Sequence, residues 1–208
     1  MRSTRRTRRS LLTGGACMDK TAAVAKDMQI SMAYVDRARP ILSRMLGGEI
    51  RRVEGSGDEI RQMLDLKCGI DYFQVYQTGI VWGVASRWQA IQPGEVLHNT
   101  FTIRKERESG SLTEYDKLRQ AIRRGGERPH LTMQGYYSAT DGRILSIGIA
   151  RTEDIVRMIE DGHARVQKTG EDQNGQAWFY VVSWKEMARQ GRKVIEWLWW
   201  ENQNEMAG

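Results

Sequence analysis

Two residues of opposite charge, Asp71 and Arg87, fall on a stretch that reads as one hairpin. Residues 70–76 are β-branched and aromatic, Gln77-Thr78-Gly79 has turn composition, and residues 80–88 are apolar again. With a three-residue turn setting the register, Tyr76 faces Ile80, Gln74 faces Trp82 and Asp71 faces Ala85. Residues two apart share a face, so Asp71, Phe73 and Val75 lie with Val81, Gly83, Ala85 and Arg87. Diagonal neighbours in such a pair are about 7–8 Å apart, within reach of an arginine side chain. The residues by themselves therefore predict an Asp71–Arg87 ion pair.

Basic residues further along have the chemistry to hold phosphate. Arg104, Lys105 and Arg107 sit beside Glu106 and Glu108, and Ser109-Gly110-Ser111 then leads into a helix N-terminus, where a phosphate could bind. Arg123 and Arg124 close the same helix. Arg104, Lys105, Arg107, Arg123 and Arg124 are the nucleic-acid-binding candidates, within a segment, 101–130, that holds eight basic and five acidic residues. Trp82 and Trp88 share the strand face opposite Arg87, a stripe that either stacks bases or belongs to the core. Ser86 has no partner histidine in a recognisable motif, and Gly125-Gly126 matches no phosphate loop. His98, His130 and His163 show no zinc spacing, and neither do Cys17 and Cys68.

The phrase Gly69-Ile70-Asp71 opening a strand, then a glycine turn, then a strand ending in a basic residue, resembles the PD-(D/E)XK nuclease superfamily. In that family the strand-opening Asp and an acid on the next strand hold Mg²⁺, and a Lys two residues beyond the acid assists the attacking water. The resemblance implies that Asp71 is a metal ligand. Ala85 stands where the second acid belongs, and Arg87 stands where the Lys belongs. Asp65 or Glu49 would then supply the second acid, Glu49 because an acid from the first helix often supports the family's site. Asp65 is six residues from Asp71, roughly 20 Å along an extended strand. Only a turn at Lys67-Cys68-Gly69 would let the two share a metal. On this reading Asp71, Arg87 and Glu49 are catalytic, Asp71 and Asp65 bind Mg²⁺, and the substrate is DNA rather than RNA. The alternative is a catalytically inactive binding or interaction protein on the same scaffold, which the missing acid at Ala85 favours.

The chain has 208 residues and a net charge of +6, but residues 1–10 carry five arginines and no acid. The remainder holds 27 basic and 26 acidic residues, a net of +1, so the basic character lies in the tail. Residues 1–17 are expected to be a disordered basic tail, or to precede a translation start at Met18. Residues 18–208 are expected to form one domain. No apolar run approaches the ~20 residues that span a bilayer. Two cysteines without disulfide-scaffold spacing point to a reducing, cytoplasmic setting.

The elements that must position these residues follow from local signals. Helix character over 22–33 is interrupted at Pro40, with Asp36 capping a second helix that Gly47-Gly48 ends. Strands follow over 49–53, 59–66 and 100–105. Ser111 and Glu114 form a capping box for a helix with Tyr115, Leu118 and Ile122 on one face, stopped by Gly125. Hairpins pair 130–139 with 143–150 and 164–169 with 176–182. Thr152 caps a helix over 153–161, and Ser183 with Glu186 forms another capping box. Residues 194–200 are left open between strand and helix. The fold class is mixed α/β (α+β), with a mixed central sheet and helices on its faces. Helix, three strands, helix, strand is also the order of the PD-(D/E)XK core, here with extra hairpins toward the C-terminus.

Overall fold

Tyr34, Val35, Ala38 and Leu42 recur at helical spacing and are all buried, which defines the inner face of the first helix. The structure, a computed structural model, describes residues 20–53, 68–107, 112–168 and 177–199, with side chains from residue 33 onward, residue 107 excepted. The elements are α1 (Lys20–Leu46), β1 (Glu49–Arg52), β2 (Tyr72–Val75), β3 (Val81–Ile91), β4 (Thr100–Arg107), α2 (Glu114–Arg124), β5 (Leu131–Ser138), β6 (Ile144–Arg151), α3 (Thr152–Glu160), β7 (Arg165–Lys168), β8 (Ala177–Ser183), α4 (Trp184–Arg189) and β9 (Val194–Leu198).

Six strands form a mixed sheet in the order β1-β2-β3-β5-β6-β9. Only the β3–β5 step is parallel. A parallel step needs a crossover, and β4 with α2 supplies it. β5 and β6 are buried along most of their length because both their faces are covered. On one face α1 packs over Tyr72, Val84, Met133, Ile149 and Trp197. On the other, Ile91, Tyr136 and Ala150 of the sheet pack in one cluster with Leu118 of α2, Ile155 and Met158 of α3, Trp184 and Met187 of α4, and Phe101, Ile103 and Val182 of β4 and β8. The fold is thus mixed α/β with a central mixed sheet, as the composition of its segments predicts.

A smaller antiparallel sheet, β4-β8-β7, stands against that second face. Its strands alternate up to a bulge in β4 between Arg104 and Glu106. Phe101, Ile103 and Val182 enter the core, so Thr100, Thr102, Val181 and Phe179 point the other way. Two buried contacts fasten it to the large sheet. Tyr136 Oη donates to Thr100 O at 2.8 Å and accepts the Thr100 N–H at 3.1 Å, and burial raises the phenol's pKa. Thr102 Oγ1 donates to Gln134 Oε1 at 3.1 Å.

Several boundaries differ from those read locally. Pro40 does not divide the first helix. Tyr34 and Val35 before it and Leu42 after it bury against the same sheet face, and that packing carries the helix across the missing N–H. Thr113, not Ser111, is the N-cap of α2, in a reciprocal capping box with Asp116. Arg151 rather than Thr152 caps α3, and the Thr152 hydroxyl instead meets Thr132 at 2.9 Å. Ser183 is the N-cap of α4 but makes no side-chain cap bond, and the Glu186 carboxylate accepts from Arg189 and Gln190 instead of closing a box. Residues 194–198 are a strand, drawn to the open edge of β6. Residues 1–17, the expected strand over 59–66, Asp65 and Ser111 lie outside the described residues.

Candidate functional site: a cationic cleft between the two sheets

The hairpin register is the one its turn sets. Gln74 pairs with Trp82 and Tyr72 with Val84, which brings Asp71 level with Ala85. The ion pair drawn from that register does not form. Asp71 lies just before β2, where the ladder turns irregular, and its N–H donates to Val84 O at 2.9 Å. Its carboxylate accepts the backbone N–H of Ser86. Arg87 turns instead to Glu114, the first residue of α2, at 2.5 Å. The cause is tertiary. α2 starts above β3 and β4, so the Glu114 carboxylate meets Arg87 and lies 3.4 Å from the Arg104 N–H.

Asp71 thus has a structural task. Beside it, the fully buried Tyr72 hydroxyl donates to Met133 Sδ at 3.3 Å, and burial with the Asp71 charge keeps the phenol protonated. Asp71→Ala is expected to cost about 1–2 kcal/mol by orphaning the Ser86 N–H, whereas Asp71→Asn, which keeps an acceptor oxygen, should cost less than half of that. Urea melts of the two variants check this. Equal losses would mean that the negative charge, not the acceptor, matters.

Among the described residues the donors predicted for Mg²⁺ do not come together. Ala85 supplies no ligand. Glu49 opens β1 opposite Val75, at the far end of the β1–β2 ladder from Asp71. Four residues of strand put the two about 13 Å apart. The Glu49 carboxylate is exposed and pairs with Arg51 at 3.0 Å, whose hydrogen bond lowers its pKa. Asp65 falls outside the described residues. Among the described residues no three His, Cys, Asp or Glu side chains converge.

Arg87 does reach a site, a cleft of about 540 Å³ between the two sheets. Its floor includes Arg87, Gln89, Ile91 and Tyr136, and its wall Phe179 and Val181. The register of the small sheet explains the wall. Thr102, Val181 and Arg165 form one cross-strand row, and Arg104, Phe179 and Gln167 the next, all on its polar face. The Arg87 and Arg104 guanidiniums lie over the Phe179 ring at 5.7 and 5.4 Å from its centroid.

The five basic candidates are scattered by this geometry. Arg104 stands beside the cleft. Lys105, one residue on, faces the opposite way over Tyr180. Arg123 pairs with Glu160, and Arg124 is exposed beside it, some 15 Å along α2 from Glu114. The Arg107 side chain lies outside the described residues. Trp82 and Trp88 belong to the α1 side, packed against the core, with Trp88 5.4 Å from Tyr34.

Local reasoning missed Phe179, Arg165, His98 and Gln167. The alternation Thr100-Phe101-Thr102-Ile103-Arg104 announces one polar face. His98 stands two residues before Thr100, but Arg165, Gln167 and Phe179 come from far along the chain, so nothing local names them. No protein-family profile matches the chain, and no curated protein sequence does either.

Proposed function

We propose that this chain is a nucleic-acid-binding protein on a PD-(D/E)XK-like core, engaging its polyanion through the cleft between the sheets rather than through a metal centre. One observation carries the reading: Arg87, at the position of the family's Lys, lines a cleft with Arg165, His98 and an aromatic wall. Arginine binds phosphate through its planar fork, and an aromatic face accepts any base. The order α1, β1 to β3, α2, β5 agrees with the family's core, with β4 inserted in the crossover. No helix of the described residues is long and apolar enough to cross a membrane. A cytoplasmic setting, with DNA as the first polyanion to test, completes the proposal.

The alternative, a Mg²⁺-dependent endonuclease, is weakened by the task Asp71 already performs and by Ala85. Both readings are tested together by anisotropy with single- and double-stranded oligonucleotides, and by plasmid nicking, each with Mg²⁺ and with EDTA. Binding should be equal in the two conditions, should favour single strands and should occur without nicking. Nicking that needs Mg²⁺ and is lost in Asp71→Asn would replace the binding reading with the nuclease. Absence of oligonucleotide binding would end both.

A further inference from the structure

A second cavity of about 300 Å³ adjoins the cleft and is lined by His163 and Ser183. It shares His98, Thr100, Arg165 and Val181 with the first. The joined space has two chemically different ends. The inner end is walled by Ile91, Tyr136 and Phe179, with the amides of Gln89 and Gln167 among its lining. The outer end gathers His98, His163 and Arg165 with the hydroxyl residues Thr100 and Ser183. These residues come from the loop before β4, the start of β4, the loop before β7, β7 itself and the end of β8, so only the fold assembles them.

The charge balance of the outer end favours an anion. Arg165 is exposed on its strand and has no carboxylate partner among the described residues. The Glu186 carboxylate lies 3.9 Å from His163 Nδ1 and also accepts from Arg189 and Gln190. In the inner cavity the Glu95 carboxylate is occupied by the Gln92 N–H at 2.8 Å. Gln134 neighbours Arg87 in the β3–β5 ladder, and its Nε2 is buried without a partner. A planar, apolar group with polar edges suits the inner end, and a phosphate suits the outer.

We infer that the joined cleft is a site for one nucleoside phosphate unit, its base against Phe179 between the glutamines and its phosphate on His98, His163 and Arg165. The choice of ligand rests on the nucleic-acid reading. The volume is that of a small-molecule site, too small for a duplex, so the unit is either free or an unpaired nucleotide of a strand.

The test uses the full chain. Calorimetry measures the common ribonucleoside 5′-monophosphates, the matching nucleosides and inorganic phosphate, and the same compounds compete against a 5′-phosphorylated single strand. At least one monophosphate should bind about tenfold or more tighter than its nucleoside, since a charge-assisted phosphate contact is worth at least that factor. In Arg165→Gln that ratio should approach unity, and in His98→Gln it should fall. Phe179→Leu should weaken monophosphate and nucleoside alike and keep the ratio. Equal affinities in the wild type, or an unchanged ratio in both Arg165→Gln and His98→Gln with wild-type melting curves, would overturn the inference. Competition by the monophosphate supports it with the strand as source. Monophosphate binding without strand binding supports it with a free nucleotide as source and removes the nucleic-acid reading. Strand binding that no monophosphate displaces overturns the inference and leaves that reading standing.

Discussion

Trp184→Ala is expected to destabilise the protein by about 3–5 kcal/mol, a large share of the roughly 5–15 kcal/mol that holds a domain together. Trp184 is 1 % exposed and stands near Phe101 and Tyr136, with ring centroids at 5.7 and 6.1 Å. Its indole lies on the bare Cα of Gly148 in β6, and a Cβ added there would stand well inside van der Waals contact of the indole Cε2 and Cζ2. Gly148→Ala should therefore cost about 1–3 kcal/mol by overpacking. The double variant decides whether this contact is the cause. With the indole gone, the new methyl enters the cavity, so the double variant should resemble Trp184→Ala rather than the sum, a coupling of about 1 kcal/mol or more. Chemical denaturation of the set measures it. Additive losses would show that Gly148 is needed for its backbone and not for the indole. Gly135 has the same relation to Trp88 on the α1 face, so the neighbouring strands β5 and β6 are thinned on opposite sides for one tryptophan each.

Arg87→Ala is expected to weaken single-strand binding about tenfold and to lower the slope of log affinity against log salt by about one. Its side chain and that of Glu114 are each 32 % exposed, so their ion pair contributes little to stability once solvent screening is counted. The variant should melt near the wild type while losing affinity. Glu114→Gln should act in the opposite direction on binding. The Glu114 carboxylate occupies the Arg87 guanidinium that a phosphate would use, so neutralising it should raise affinity a few-fold and cost a few tenths of a kcal/mol at the α2 N-terminus. Anisotropy titrations over a salt series read both effects. If both variants lose stability and neither changes affinity, the pair is a strut between β3 and α2 and the cleft does not bind a polyanion.

What the sequence determined by itself is what neighbours along the chain decide. The Gln77-Thr78-Gly79 turn sets the β2–β3 register, because a short turn leaves one way to pair its strands. Gly47 and Gly125 end their helices with positive φ, which costs glycine nothing. The run of element types gives the fold class. The tertiary structure alone decided the rest. α1 stays whole through Pro40 because both of its halves pack on the large sheet. Residues 194–198 become a strand because β6 has an unpaired edge to offer. Arg87 takes Glu114 over Asp71 because α2 arrives above it while Asp71 holds the Ser86 N–H. Likewise His163 and Arg165 stand far from Arg87 in sequence and form no motif with it or with His98, yet all four line the same joined cleft. Turns and caps are short-range, whereas the cleft is a product of which sheet faces which, and periodicity along a strand is silent about that.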